Sequence, residues 1–396
     1  MNSILNNKYL LVIKKIAYYI LVLSLSVCTV LSFINWQDGR PEIIQLILNL
    51  LYTLKKLISV PVLFIYELLF FINELLSIKQ DKNSDKNNLL YSLLFFLFTI
   101  LIIIFTKQTK LIYFLMMIHF AKDFEYKRIL DVHIVGKLFV LLVLIIGNVF
   151  GLVFIAEQRG NGFGMVHYNT LSQFLIFLLF ALSCRYNIKN NHKLFFTVVS
   201  IALMILCVYP IDSRTPVIVM ALFVVLMWFE KIFNVLKNKF GKTVEVAFIS
   251  TPILLTLLSA LLGILIVYFG LRIDGNLSSR FIEFVYAYNE VGFSLFSRSI
   301  TYGEGLTMGL YYFDNHYAKL LFDYGLALSF IVYFGFIVSN IRIMKSNIYV
   351  FIIAMFCVYV YGVTGGLFDN ELIIVLMACA FSKDIFDVIR NTNKID

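Results

Sequence analysis

Long apolar runs separated by short polar stretches are the main pattern along this chain. Each run approaches the ~20 residues that cross ~30 Å of hydrocarbon as a helix. Helices satisfy their own backbone groups in lipid, and the short alternating strands typical of a membrane barrel are not seen. The pattern predicts an all-α, polytopic integral membrane protein with about twelve transmembrane helices, and residues 1–396 form a single membrane domain. The predicted spans are 16–34, 57–76, 89–105, 111–121, 134–155, 171–184, 194–209, 216–229, 249–269, 320–338, 348–363 and 371–381.

Three details qualify this pattern near the N-terminal half. The run 111–121 is short for a span and is expected to extend further or to be partly re-entrant. Residues 41–54 are typical of an interfacial amphipathic helix, which Lys55 and Lys56 separate from the next run. The first run lacks a clean cleavage pattern, so it is expected to stay as an uncleaved anchor.

The composition agrees with a membrane protein. Hydrophobic residues make up 61% of the chain and charged residues 14%, whereas charged residues make up about a quarter of a soluble domain. The net charge of +9 lies in short loops between the runs, so it indicates topology rather than nucleic-acid binding. The five cysteines show no metal-ligand or disulfide spacing, so neither a zinc site nor a disulfide framework is indicated.

Lysine and arginine predict the orientation. Alternate loops, together with both termini, hold 22 of the 33 basic residues and are expected to be cytoplasmic. The protein is therefore predicted to lie in the cell membrane as a multi-pass protein with cytoplasmic N- and C-termini. The longest external loop, residues 270–319, lies between the ninth and tenth spans and is expected to carry function.

Arginine is distributed differently from lysine. Most lysines lie on the predicted cytoplasmic side, but six of the ten arginines lie outside. Arginine binds phosphate and carboxylate through two parallel hydrogen bonds, which favours an anionic substrate. The alternative is that single arginines pair with nearby carboxylates such as Glu157, Asp212, Asp274 or Glu283. The external arginines are Arg40, Arg159, Arg214, Arg272, Arg280 and Arg298.

Two external segments combine arginine with other polar groups. Residues 159–169 hold Arg159, His167 and Asn169 among several glycines, and they can contact a phosphate or a sugar hydroxyl. A turn followed by a helix cap is the structural alternative. In the second segment, Arg214 lies at the start of a helix, where the dipole favours an anion and Ser213 is expected to cap. Arg214 and the free helix amides are predicted to form an anion site.

A third polar segment lies where the long loop returns to the membrane. Asp314 is expected to cap the helix that follows, and His316 shares one face with Lys319 and Asp323. This face offers a base, a cation and a carboxylate, although a solvated histidine is the ordinary alternative. Glu67 and Glu74 lie in or near the second predicted span and are weaker candidates.

At these residues the sequence resembles the Wzy-type polysaccharide polymerases of the O-antigen ligase and polymerase superfamily. The resemblance runs from about Phe120 onward, and its pieces occur in the family's order. The pieces are FAKDFEYKRIL, RGNGFGMVHYNTLSQF, SRTPVIVMALF, SSRFIEFVYAY and DNHYAKLLFDYGL.

The resemblance implies a membrane glycosyltransferase that joins undecaprenyl-diphosphate-linked oligosaccharide units into capsular polysaccharide or exopolysaccharide on the outer face of the membrane. It implies diphosphate binding by Arg159, Arg214 and Arg280, since fixed arginines stabilise the leaving diphosphate. Asp314 and His316 are the candidate bases. The sequence departs from the ligase-like His-Asn-x-Tyr pattern here, with Asp314 in the place of the histidine. Sugar contacts are expected from His167, Asn169, Asn315 and Tyr317.

The implied partners are the lipid-linked oligosaccharide, membrane lipid and, as further candidates, a flippase and a chain-length regulator. No nucleic acid is expected, and the resemblance implies no metal or other cofactor. Two alternatives stay open at this point. A lipid-linked oligosaccharide flippase or other transporter would show symmetric halves and polar residues at the midplane. An O-antigen-ligase-like glycan transferase would use the same donor with another acceptor.

Overall fold

The computed structural model describes residues 8–32, 34, 36, 40–79, 86–106, 109–153, 163, 165, 168–187, 190–273, 275–296, 314–365 and 371–392. These residues form helices and two isolated β-bridges, so the all-α prediction is confirmed. The helices in chain order are α1 Lys8–Leu31, α2 Glu42–Thr53, α3 Val60–Lys79, α4 Lys86–Thr106, α5 Thr109–Phe120, α6 Tyr126–Val149, α7 Tyr168–Tyr186, α8 Asn190–Val208, α9 Arg214–Trp228, α10 Glu230–Ile249, α11 Thr251–Phe269, α12 Gly275–Val291, α13 His316–Phe322, α14 Gly325–Ser346, α15 Tyr349–Tyr361, α16 Leu372–Ala380 and α17 Lys383–Thr392.

Five helical stretches among the described residues are long and apolar enough to cross a membrane. The helices α9 and α10 make a sixth if they are counted as one span, although they bend by 69° at the residue between them. The prediction of transmembrane helices is therefore supported, and the count of twelve stays a prediction. The five stretches are Lys8–Leu31, Glu42–Leu76, Tyr126–Val149, Thr251–Phe269 and Gly325–Ser346.

The separation expected at Lys55 and Lys56 is wrong. The helices α2 and α3 are joined by a π-helical turn, Leu54–Ser59, which carries both lysines. The widened turn accommodates these residues without breaking the helix. Lys55 is buried, and its ammonium lies 4.5 Å from the centre of the Tyr113 ring. Aromatic contact supplies a place for this charge inside an otherwise apolar helix pair.

The short helices α15 and α16 form the centre of the bundle. All nine residues of α16 are buried, and so is most of α15. At 1.5 Å per residue these helices are about 20 Å and 14 Å long, which is less than the hydrocarbon thickness. The backbone leaves α15 at Gly362 and enters α16 after Glu371, inside the bundle.

The loops form two groups at opposite ends of the helices. One group joins the predicted cytoplasmic loops, and the other joins the predicted external segments. Each predicted side therefore corresponds to one set of contacting loops. Contacts of the first group are Lys14–Asp123, Asp131–Arg185, Phe124–Lys383 and Lys237–Asn347. Contacts of the second group are Ile34–Met165, Trp36–Val153, Asn169–Ser213 and His316–Gly362.

Candidate functional site

Most of the predicted site residues lie in the described part of the chain. Arg159 and His167 lie outside the described residues, so their predicted roles stay predictions. The remaining seven lie on α7, α9, α12 and α13 or directly beside them. They are Asn169, Arg214, Arg280, Asp314, Asn315, His316 and Tyr317.

The start of α9 is held by α7 rather than by its own cap. Ser213 precedes the helix, but its side chain makes no capping hydrogen bond, which corrects the expectation from sequence. Its hydroxyl instead donates to Oδ1 of Asn169 over 2.6 Å, and Ser172 Oγ lies 3.0 Å from Ser213 Oγ. Asp212 adopts a left-handed conformation (φ +53°) that turns the chain into α9. Arg214 is thereby presented in an exposed position at the first residue of the helix.

Arg280 connects this helix start to the returning end of the long loop. Its Nη1 donates to Oγ1 of Thr215 over 3.4 Å. Its Nε lies 3.6 Å from Oδ2 of Asp314. The Arg280 side chain is largely buried, whereas the Asp314 side chain is 59% exposed. A guanidinium therefore joins α9 and α12 to the carboxylate beside α13, and it still has further N–H groups for an anion.

Glu283 lies one turn beyond Arg280 and fixes the backbone of the same segment. Its two carboxyl oxygens accept from the backbone N–H groups of Asn315 over 2.9 Å and Asp314 over 3.3 Å. The side chain is buried, and this burial raises the pKa of the carboxyl to about 8, helped by the charge of Asp314 and opposed by the Asn315 hydrogen bond. From sequence, Glu283 was interpreted only as a partner for arginine. Its spacing of three residues from Arg280 already indicated that both lie on one helix face.

The capping residue of α13 is Asn315, so the prediction that Asp314 caps this helix is wrong. Oδ1 of Asn315 accepts from the backbone N–H of Tyr317 over 3.0 Å and of Ala318 over 3.4 Å. Asn315 is completely buried. The structure therefore gives Asn315 a structural duty and leaves the Asp314 carboxylate at the surface of the site.

The next two residues point into the protein interior. His316 is 1% exposed, its backbone N–H donates to Gly362 O over 2.9 Å, and burial holds the pKa of its imidazole well below the usual value. Tyr317 is completely buried and donates its hydroxyl hydrogen to Tyr359 O over 2.8 Å. Of the two candidate bases, Asp314 therefore faces the surface and His316 faces the core. A sugar would reach Tyr317 only after rearrangement of this packing.

A buried ion pair lies near the middle of the bundle, away from these segments. Nζ of Lys137 lies 2.8 Å from Oε2 of Glu371, and both side chains are 1% exposed. Lys137 occupies the middle of α6, within the predicted span 134–155. One turn earlier, His133 is buried and its Nδ1 lies 2.7 Å from Ser26 Oγ. The bias of basic residues toward one side holds without Lys137.

Glu67 is another buried carboxylate, besides Glu283 and Glu371. Its Oε1 lies 3.0 Å from Nε2 of His119 and accepts a hydrogen bond from Ser92. Both weaker candidates lie on α3, where Glu67 is buried and Glu74 is half-buried. His119 was not recognised from sequence, because a lone histidine at the end of a short apolar run carries no distinctive signal.

The described candidates thus form one connected group at one end of the bundle. Asn169 and Ser213 position the start of α9, which carries Arg214. Arg280 links Thr215 to Asp314, and Glu283 holds the backbone of Asp314 and Asn315. The group combines two arginines with a surface carboxylate, a set suited to an anion next to a proton acceptor. Comparison with known proteins adds no further assignment, since the chain matches no family model, no curated protein and no solved structure.

Proposed function

We propose that this protein polymerises undecaprenyl-diphosphate-linked oligosaccharide units into capsular polysaccharide or exopolysaccharide on the outer face of the cell membrane. The observation that supports it most is the contact of Arg280 with both Thr215, beside Arg214, and Asp314. Three segments far apart in sequence thereby lie together, with Arg280 beside the Asp314 carboxylate and next to the start of α9, where Arg214 lies. Glycosyl transfer from a lipid diphosphate needs these groups together.

The proposed reaction assigns a role to each group. The acceptor sugar hydroxyl attacks the anomeric carbon of the growing chain, and the bond from that carbon to the diphosphate oxygen breaks. The diphosphate leaves on its lipid, where Arg214 and Arg280 stabilise the added negative charge. Asp314 accepts the hydroxyl proton. Arg159 is proposed as a third diphosphate ligand and His167 as a sugar contact.

The topology belongs to the same proposal. Twelve spans, cytoplasmic termini and an external loop over 270–319 place these segments outside the cell. The grouping of loops into two contacting sets supports this arrangement, because every described site residue belongs to the set predicted to be external. The described part of that loop contains α12 and the start of α13.

Lysine substitution of single arginines tests the proposal. Arg280→Lys keeps the charge but not the planar fork, so we expect at least a tenfold loss of polymer formation in membranes supplied with the lipid-linked unit. Arg272→Lys is the matched control, because Arg272 is an exposed arginine of the same loop. Equal polymer yield from both variants at equal protein level would remove Arg280 from the reaction.

A transporter of lipid-linked oligosaccharide is the second candidate, and the Lys137–Glu371 pair favours it. Transporters place ionisable groups and interrupted helices near the midplane, and Glu371 lies between the short helices α15 and α16. Vesicles containing the purified protein separate the two functions. Movement of a fluorescent lipid-linked unit between leaflets without chain growth would support transport. Transfer to a different acceptor would indicate a ligase-like enzyme.

A further inference from the structure

The bundle also contains an apolar groove, whose lining differs from the polar site just described. It runs between the helix pair α4–α5 and the pair α14–α16, with a cavity volume of about 460 Å³. Along α14 it extends from Leu328 to Arg342, which corresponds to about 21 Å of helix. Most of its lining is aliphatic and aromatic, as at Phe98, Ile118 and Val338.

Two cations line the same end of this groove. Lys122 follows α5, and Arg342 lies near the end of α14. Nε of Arg342 donates to Ala380 O over 2.9 Å, and its guanidinium carbon lies 4.6 Å from the centre of the Phe381 ring. These contacts hold the guanidinium at the end of the groove. Both residues belong to the end of the bundle formed by the predicted cytoplasmic loops.

We propose that this α4–α14 groove binds one acyl chain of an anionic phospholipid of the inner leaflet, with the lipid phosphate between Lys122 and Arg342. An apolar channel of this length suits a hydrocarbon chain, and its lining offers little to a sugar. Basic pockets between transmembrane helices at the cytoplasmic side recognise anionic head groups. The charge at one end and the apolar lining beyond it match the two parts of one lipid molecule.

This lipid is distinct from the substrate of the proposed reaction. The proposed site uses Arg214, Arg280 and Asp314 at the other end of the bundle, whereas the groove ends at Lys122 and Arg342. The inference therefore holds or fails independently of the polymerase proposal. It requires that the apolar helices lie in a bilayer, and its assignment to the inner leaflet rests on the proposed orientation.

Lipid retention by the purified protein tests the inference. The protein is reconstituted in nanodiscs of phosphatidylglycerol and phosphatidylcholine, extracted into detergent, and analysed for bound lipid by mass spectrometry. We expect phosphatidylglycerol to be enriched at least threefold over the nanodisc composition. Lys122→Gln should reduce this enrichment at least twofold and the double variant with Arg342→Gln should abolish it.

A steric variant tests the apolar part separately. Val338→Trp fills the groove and should abolish both enrichment and crosslinking by a phosphatidylglycerol that carries a photoreactive group in its acyl chain. Leu142→Trp is the control, because Leu142 is 53% exposed on α6 outside the groove. Equal enrichment in all variants, equal retention of phosphatidylcholine, or the same loss in Leu142→Trp would overturn the proposal. If the Arg342 variant does not fold, Lys122→Gln and Val338→Trp still decide it.

Discussion

At the scale of single residues, the neighbouring residues Asp314 and Asn315 have different roles. Asn315 caps α13, and Asp314 carries an exposed carboxylate beside Arg280. We expect Asp314→Asn to lower the polymerisation rate about 100-fold, as loss of a general base does, with unchanged thermal stability. We expect Asn315→Ala to cost about 1 kcal/mol of stability, as loss of a cap does. Rate assays and thermal unfolding in detergent separate the two, and the reverse pattern would exchange the assignments.

Glu283 provides a pH-dependent prediction at the same scale. Its pKa is raised from 4.5 to about 8 by burial, so between these values the folded protein keeps a proton that the unfolded chain has released. Stability should therefore fall as the pH rises from 4.5 to 8, by on the order of 5 kcal/mol from this group, and then level off. Thermal unfolding of Glu283→Gln should show a flatter profile. Glu290→Gln, at an exposed position of the same helix, should keep the wild-type slope.

Residue chemistry could be predicted from sequence only where the signal is local. Arg214 and Arg280 stand out because positive charge is disfavoured on the predicted external side. The burial of His316 could not be inferred, since it depends on Gly362, about 45 residues further along. The exchange of cap between Asp314 and Asn315 also escaped, because both residue types are good caps.

At the scale of elements, the close contact of α11 with α12 positions Arg280 and Glu283. A Cβ on Gly263 would lie 2.3 Å from the backbone oxygen of Phe281. Gly263→Ala should therefore push α12 away, lower the thermal unfolding temperature and reduce the polymerisation rate severalfold. Gly241→Ala is the control, since a Cβ there meets nothing within 4 Å. Wild-type activity in Gly263→Ala would show that the position of α12 does not matter for the site.

Helix positions follow from apolar runs, but the continuity of neighbouring helices does not always do so. The described helices α1, α6, α11 and α14 overlap predicted spans. A π-helical turn keeps α2 and α3 continuous, and the ammonium of Lys55 in this turn lies against the ring of Tyr113. This contact joins segments that are distant in sequence. The 69° bend between α9 and α10 lies at residue 229, where the predicted span 216–229 ends, although no proline or glycine marks it.

At the scale of the whole molecule, the orientation in the membrane is directly testable. Cysteine placed at Glu290 should react with an impermeant reagent on intact cells, whereas cysteine at Lys239 should react only after the cells are opened. Both positions are exposed, so access depends on the side of the membrane. Four of the five native cysteines are buried, which keeps the background low. Labelling of Lys239→Cys alone would reverse the orientation and place the proposed site in the cytoplasm.

Some features of the overall arrangement depend on contacts between residues far apart in sequence and could not be predicted from local patterns. The alternation of loops between two ends could be derived from the distribution of lysine and arginine. The central position of α15 and α16, and the Lys137–Glu371 pair beside them, could not. A buried charge is stable only with its partner in place, and these partners lie more than 200 residues apart.

Chain growth by the purified protein tests the central claim most directly. The protein in nanodiscs receives a purified undecaprenyl-diphosphate-linked repeat unit, without nucleotide sugar, and the glycans and released lipid are measured together. We predict a ladder of oligosaccharides and one undecaprenyl diphosphate released for each linkage formed. The double variant that combines Arg280→Lys with Asp314→Asn should yield neither product. Persistence of the single unit with correctly folded wild-type protein, or growth without release of the lipid diphosphate, would contradict the proposed polymerase.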